Sequence, residues 1–332
     1  MKSAIPLHVP GFIDLQVNGF VGIDFSSDAL TEESFRHACH TLLARGTAAF
    51  LPTIITSGEP CLRRNLTLMT SALKKDATLA RHILGFHLEG PFISGKPGAV
   101  GAHDPAAVHL PDIAYFERLL AWSENRVRLL TLAAELPGAS ELTRHVVSRG
   151  VTVSCGHQLA ESAELSRLAE AGATALTHLG NGMPNLVHRH CNPLLAGLAE
   201  ERLKILFIPD GHHLPRHVLT LFARAAGPDR LIATSDASPA AGLPPGTYNV
   251  LGNNAVLEDN GRLHNPEKQC LVGSSATLLA CMNVLHRLGS FTLDEMLRIG
   301  FYNPLALIGV GPQEIPTCQY PLTYSPEAGF GL

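Results

Sequence analysis

Ile83-Leu84-Gly85-Phe86-His87-Leu88-Glu89-Gly90-Pro91 is a short apolar run that ends in an imidazole, a carboxylate and a Gly-Pro stop. A strand buried on both faces of a parallel sheet reads this way, nearly continuous in apolar residues, with polar groups where the chain leaves the sheet. Working outward, comparable runs occur at residues 11–17, 48–53, 127–133, 151–154, 173–177, 204–208 and 231–234. Between them lie amphipathic stretches with helical spacing at 31–45, 61–74, 111–123, 140–149, 161–171 and 215–226. Thr31-Glu32-Glu33 and the segment from Ser162 open with hydroxyl-and-acid helix-start chemistry. Strands alternating with helices in this number favour a closed (β/α)8 TIM barrel over an open doubly wound sheet.

The remaining 98 or so residues after strand eight read as a Pro/Gly-rich loop at 240–246, a polar loop to about 269, helices at 274–288 and 292–301, and an irregular Pro-rich tail from 311. No repeat and no low-complexity linker interrupts the chain. The expectation is one domain over residues 1–332, with a barrel core at about 10–310 and a tail at 311–332.

Composition narrows the function classes. Of 332 residues, 45% are apolar and 16% charged, with a formal charge of −4 and no basic run, so no nucleic-acid footprint is expected. No run approaches the roughly 20 apolar residues of a membrane span. The opening from Met1 to Gly11 holds one Lys and two Pro and no apolar run, so no leader is expected. Seven cysteines, none in a C-x-x-C pair, point to a reduced, cytoplasmic protein without a thiolate metal site. Seventeen histidines cannot all be functional, and only position along the fold can select among them. His37, His40, His109, His145 and His286 fall in or beside helical stretches and are read as structural.

Barrel enzymes carry their chemistry at the carboxyl ends of the strands. Strand three ends in Glu89, strand five in Cys155-Gly156-His157, strand six in Thr177-His178, strand seven in Asp210-Gly211-His212-His213 and strand eight in Ser235-Asp236. One carboxylate and two imidazoles suffice to hold a catalytic divalent ion with a position open for water. Glu89, His157 and His178 are the expected metal ligands. Asp236 is the expected proton carrier, and His87 supports the Glu89 loop or packs.

At these residues the chain resembles the N-acetylglucosamine-6-phosphate deacetylases of the amidohydrolase superfamily. The resemblance runs from about Pro10 to Gly309: Pro10-Gly11-Phe12-Ile13-Asp14-Leu15-Gln16-Val17-Asn18-Gly19, then His87-Leu88-Glu89-Gly90-Pro91, Thr177-His178-Leu179 with Asn181 and Met183-Pro184, Asp210-Gly211 with His213, Ser235-Asp236-Ala237 with Pro239, Val272-Gly273-Ser274 and Asn303-Pro304. It implies a metal-dependent hydrolase that cleaves the N-acetyl amide of an amino-sugar phosphate to amine and acetate. It implies His103 as a second catalytic group, polarising the amide carbonyl. It also implies Asn181, Gly182 and His213 as substrate contacts, and Arg189 as a phosphate contact that reaches a neighbouring subunit, hence a homodimer. Where many amidohydrolases carry His-x-His on strand one, this chain has Gln16-Val17-Asn18, which points to one metal ion per chain, zinc first and iron also accepted.

Three departures from the family pattern bear on substrate. The first barrel strand starts near Gly11, so most of the accessory β-sandwich is expected to be missing. The family's Arg-Glu-Pro-Gly run is Arg189-His190-Cys191-Asn192-Pro193 here, and the pair after the second ligand His is Asn181-Gly182. The alternative reading keeps the chemistry and changes the substrate to another N-acyl sugar or small amide without phosphate. Cyclic-imide or nucleobase hydrolysis and a catalytically silent barrel are the remaining classes. The first lacks its His-x-His and bridging Lys, since strand four ends in Ala133-Ala134-Glu135.

Overall fold

The computed structural model describes residues 7–318 and 320–332. Residues 1–6, which open the stretch read above as leader-free, lie outside the described residues. Eight parallel strands form the frame: β1 (Phe12–Val17), β2 (Thr47–Ile55), β3 (Phe86–Glu89), β4 (Val127–Leu132), β5 (Thr152–Cys155), β6 (Ala175–Leu176), β7 (Lys204–Phe207) and β8 (Leu231–Ala233). Each is hydrogen-bonded to its sequence neighbour in order. The ring meets itself where Val17 pairs in parallel with Ala237, just past β8, and Asn18 N–H donates to the Ala237 carbonyl at 2.8 Å. This is the (β/α)8 barrel that the alternation of runs predicts.

Helices follow the expected stretches closely. Glu32–Leu43 starts on a capping box between Thr31 and Ser34, and Ser162–Ala171 on one between Glu161 and Glu164. Lower in the ring, Ile13, Leu15, Leu51, Leu129, Leu206 and Ile232 fill the interior, and Phe301, Leu305 and Ile308 plug its floor. Higher up, the interior turns polar. His87 Nε2 meets Thr131 Oγ1 at 2.8 Å, Thr131 meets Thr177 at 2.7 Å, and Thr177 donates to Ser154 at 2.6 Å. Satisfied hydroxyls therefore form the shelf on which the mouth rests.

Two expectations are corrected. The stretch to residue 269, read as loop, is a four-stranded antiparallel sheet of Gly246–Val250, Asn253–Leu257, Leu263–Asn265 and Cys270–Leu271. Its first hairpin turns on Leu251 and Gly252, both at positive φ, as a two-residue hairpin turn requires. Alternate residues Val250, Ala255, Leu257 and Leu263 pack on Ile55, Ala240 and Val272, and this fixes its register. The tail from 311, read as irregular, contains Leu322–Ser325 and Gly329–Gly331, which pair with each other and with Leu7–Val9 in a three-stranded sheet. Burial of Leu322 and Phe330 drives this return. Phe330 packs edge-on against Phe12 at 5.1 Å, and Asn283 bonds both its N–H and its carbonyl. Among the described residues, no helix is long and apolar enough to cross a membrane.

Candidate active site

Strands β3, β5 and β6 deliver Glu89, His157 and His178 to one point at the carboxyl mouth. Their ligating atoms all lie within 4.8 Å of one another, and all three residues are buried. Glu89 Oε1 sits 3.1 Å from His157 Nε2 and 2.7 Å from His178 Nε2. Burial would raise the Glu89 carboxyl, but hydrogen bonds to His157 and His178 hold it well below the usual carboxylate range. His157 Nδ1 donates to the Ala99 carbonyl at 2.7 Å, which fixes the ring with Nε2 facing Glu89. A carboxylate oxygen and two imidazole nitrogens this close favour a shared positive charge at their centre. The donor set therefore suits a divalent cation.

The backbone is bent to achieve this. His157, His178 and Asp236 have φ of 50, 28 and 51°, a left-handed conformation costly for residues with a Cβ. Side chains held there by the surrounding structure are characteristic of sites where geometry matters more than local stability. Gly182 completes the fit, because a Cβ on it would lie 3.0 Å from His157 Nδ1.

Asp236 faces the cluster from the end of β8. Burial and the nearby charge of Glu89 push its carboxyl up to about 6. Asn18 Nδ2 donates to Asp236 Oδ1 at 2.7 Å, and Gln16 Nε2 donates to Glu89 Oε1 at 2.8 Å. The amides standing where a second metal's histidines would be are thus engaged with the two carboxylates. Beneath them, buried Asp14 on β1 accepts from Thr234 Oγ1 at 2.7 Å and Ser235 N–H at 3.1 Å, and from the Ser235 hydroxyl. Asp14 clamps the residues leading into Asp236, a role the sequence reading missed. The pairing spans 221 positions, and only its place in Ile13-Asp14-Leu15, a charge inside an apolar run, signals it.

His103, from the loop after β3, is buried with Nε2 3.2 Å from His157 Nε2 and 3.7 Å from Glu89 Oε2. Its Nδ1 accepts from Thr56 N–H at 3.3 Å, which places the ring proton on Nε2, facing the cluster. Burial and the neighbouring His157 push it down to about 3, so the ring is neutral and a donor. His213 is held by Asp210: Nδ1 to Oδ2 is 2.7 Å, and Ser274 Oγ donates to the same oxygen at 2.8 Å. Burial works against the Asp210 charge, but His213 and its hydrogen bonds keep that carboxyl well below its ordinary value.

Asn18, Glu89, His103, His157, His178, His213 and Asp236 line a cavity of about 590 Å³ whose wall also includes Asn181, Gly182, Met183, Leu251 and Lys268. A small-molecule substrate fits that size. Of the residues singled out from sequence, Glu89, His103, His157, His178, Asn181, Gly182, His213 and Asp236 all line it. Arg189 does not. It lies on an exposed segment beside Leu186, which is 93% exposed. His87 sits below the cluster, between the Leu15 carbonyl and Thr131, and burial pushes it down to about 4.

No protein-family model matches the chain. It is similar to N-acetylglucosamine-6-phosphate deacetylase of Homo sapiens, 32% identical over 313 residues that cover 91% of this chain and 74% of that protein. It is 29% identical to N-acetylgalactosamine-6-phosphate deacetylase of Escherichia coli O157:H7, over 91% of this chain and 78% of the relative. Among solved structures, N-acetyl-D-glucosamine-6-phosphate deacetylase from Mycobacterium smegmatis superposes with a TM-score of 0.86 at 27% identity, covering 98% of this chain and 85% of that one. A variant of the same enzyme, in complex with N-acetyl-D-glucosamine-6-phosphate, gives 0.87. With barrel, strand-end residues and relatives in agreement, the chain belongs to the N-acetylglucosamine-6-phosphate deacetylase family.

Proposed function

We propose that this protein hydrolyses the N-acetyl amide of N-acetylglucosamine 6-phosphate, or a closely similar amino-sugar phosphate, to free amine and acetate. The observation that carries the reading is the meeting of Glu89 with His157 and His178 at 3.1 and 2.7 Å, with Asp236 facing them. Glu89, His157 and His178 hold one divalent cation, zinc in the first instance, with iron(II) accepted by the same donors. When bound, such a cation supplies Lewis acidity and makes water a nucleophile near neutral pH.

The chain's own groups do the rest. Asp236, as carboxylate, takes the proton from water attacking the acetyl carbon and passes it to the sugar nitrogen as the C–N bond breaks. The Nε2–H of His103 donates a hydrogen bond to the carbonyl oxygen as it gains charge, which stabilises the tetrahedral intermediate. Asn181, Gly182 and His213 orient the sugar. Arg189 reaches the phosphate of a neighbouring subunit's substrate in a homodimer, a reading supported by its exposure beside Leu186 and Val187. A single domain over residues 1–332 is supported by the main core cluster, which runs from Val9 to Phe330. The chemistry fits a cytoplasmic enzyme of amino-sugar metabolism.

The alternative is another N-acyl sugar or small amide without phosphate, favoured by one observation: among the described residues no Arg lines the cavity. Acetate release from N-acetylglucosamine and N-acetylgalactosamine, each with and without 6-phosphate, decides between them. The proposal expects the phosphorylated sugars to be turned over far faster, and the rate to vanish on chelation and return with added metal. Equal rates with and without phosphate would favour the alternative. Rates indifferent to chelation would remove the cation from the reading.

A further inference from the structure

We infer that Lys268, on the small antiparallel sheet over the barrel mouth, is this chain's own cationic contact for the substrate's phosphate. The inference rests on the phosphorylated-substrate reading above and deepens it.

A phosphate monoester carries a charge of about −1.5 to −2 near neutral pH and needs charge-assisted donors. The cavity walls oppose that charge at one end, where Glu89 and Asp236 sit. Among the described residues whose side chains line the cavity, Lys268 is the only Lys or Arg, and Arg189 of the same chain is absent from the wall. A permanent cation enters this space from the rim, not from the barrel.

The turn that carries Lys268 is built to hold it there. Asn265 Oδ1 accepts the N–H groups of Glu267 at 2.9 Å and Lys268 at 3.1 Å, which shapes the tip, and Gln269 follows at a φ of 51°. Lys268 Nζ donates to Asn253 Oδ1 at 2.7 Å. Asn253 is itself buried and donates to the carbonyls of Leu251 at 2.7 Å and Ala102 at 3.0 Å. The Ala102 bond ties the anchor to the loop that carries His103. An ammonium has three donors, and Asn253 uses one, so the others remain for a ligand at the rim. Among the described residues Lys268 forms no ion pair that would neutralise it.

The test compares kcat/KM for N-acetylglucosamine 6-phosphate and for N-acetylglucosamine in metal-loaded wild type, Lys268→Met, Lys268→Arg and Arg189→Ala. Inorganic phosphate serves as a competing anion. Loss of one charge-assisted contact should lower the ratio of the two values by about 10- to 100-fold in Lys268→Met. The loss should appear in KM more than in kcat, and phosphate should inhibit more weakly by a similar factor. Lys268→Arg, which keeps the charge, should recover most of the ratio. If the ratio and the phosphate inhibition survive in Lys268→Met and collapse only in Arg189→Ala, the phosphate is read by the arginine alone and the inference is wrong. A wild type with no preference for the phosphorylated sugar would overturn the substrate reading itself. That result is distinct, because it appears before any substitution is made.

Discussion

The two ends of the cavity are built on opposite principles. At the end proposed to hold the cation, buried Glu89, His157, His178 and Asp236 rest on strand termini and are braced by Gln16, Asn18 and Asp14, and the last three of the four accept backbone conformations unfavourable to their own side chains. At the rim, Lys268 projects from a hairpin tip, and residues 185–191, of which only Asn185 reaches the wall, are exposed, Leu186 to 93%. A bond-breaking centre tolerates little displacement, so it is placed where the core over-determines it. A recognition end can change while the centre below it stays fixed.

The largest effect expected at the braced end is that of His178→Ala, in which bound metal and turnover disappear together. Elemental analysis of purified protein checks this, and a full metal complement would reassign the site. Asp236→Asn should keep the metal and lower kcat by about 10²- to 10⁴-fold. Undiminished kcat would remove Asp236 from the mechanism. In the proposed mechanism the ionised Asp236 is the active form, and its carboxyl is raised to about 6. Activity should therefore fall as pH drops through that value, with the midpoint at or below pH 6, since a bound cation favours ionisation. A limb centred well above pH 7 would contradict this.

Asp14→Ala sharpens the contrast, because Asp14 touches only the bracing. It should cost about 1–3 kcal/mol of stability for orphaned buried donors, read by urea denaturation, and lower kcat more than it raises KM. An unchanged kcat would mean that the clamp holds the barrel but not Asp236. The smallest effect belongs to the exposed end: Arg189→Ala should raise KM for a phosphorylated sugar by about 10-fold with kcat nearly preserved.

The sequence made the braced end legible and the exposed end obscure, for physical reasons. Strands buried on both faces leave long apolar runs, so the eight barrel strands stand out, and the motif at each strand end names the polar residues at the mouth. The four-stranded sheet does not stand out, because Leu263–Asn265 and Cys270–Leu271 are too short for alternation to register, and their Pro and Asn content imitates a loop. Lys268 was hidden with them. The tail strand Leu322–Ser325 was masked by the prolines on its approach. The Asp14 clamp was invisible for another reason: Asp14 and Ser235 are brought together only by ring closure, and no local pattern encodes that.

That clamp ties catalytic competence to the folding history of the chain. Asp14 and Asn18 belong to the first barrel strand and its end, while Ser235 and Asp236 emerge only after the last. A nascent or refolding chain can bury much of its interior before these two edges touch, and contacts so distant in sequence form late. Regained turnover during renaturation would then serve as a clock for the moment the seam zips shut, lagging behind signals that report helix content.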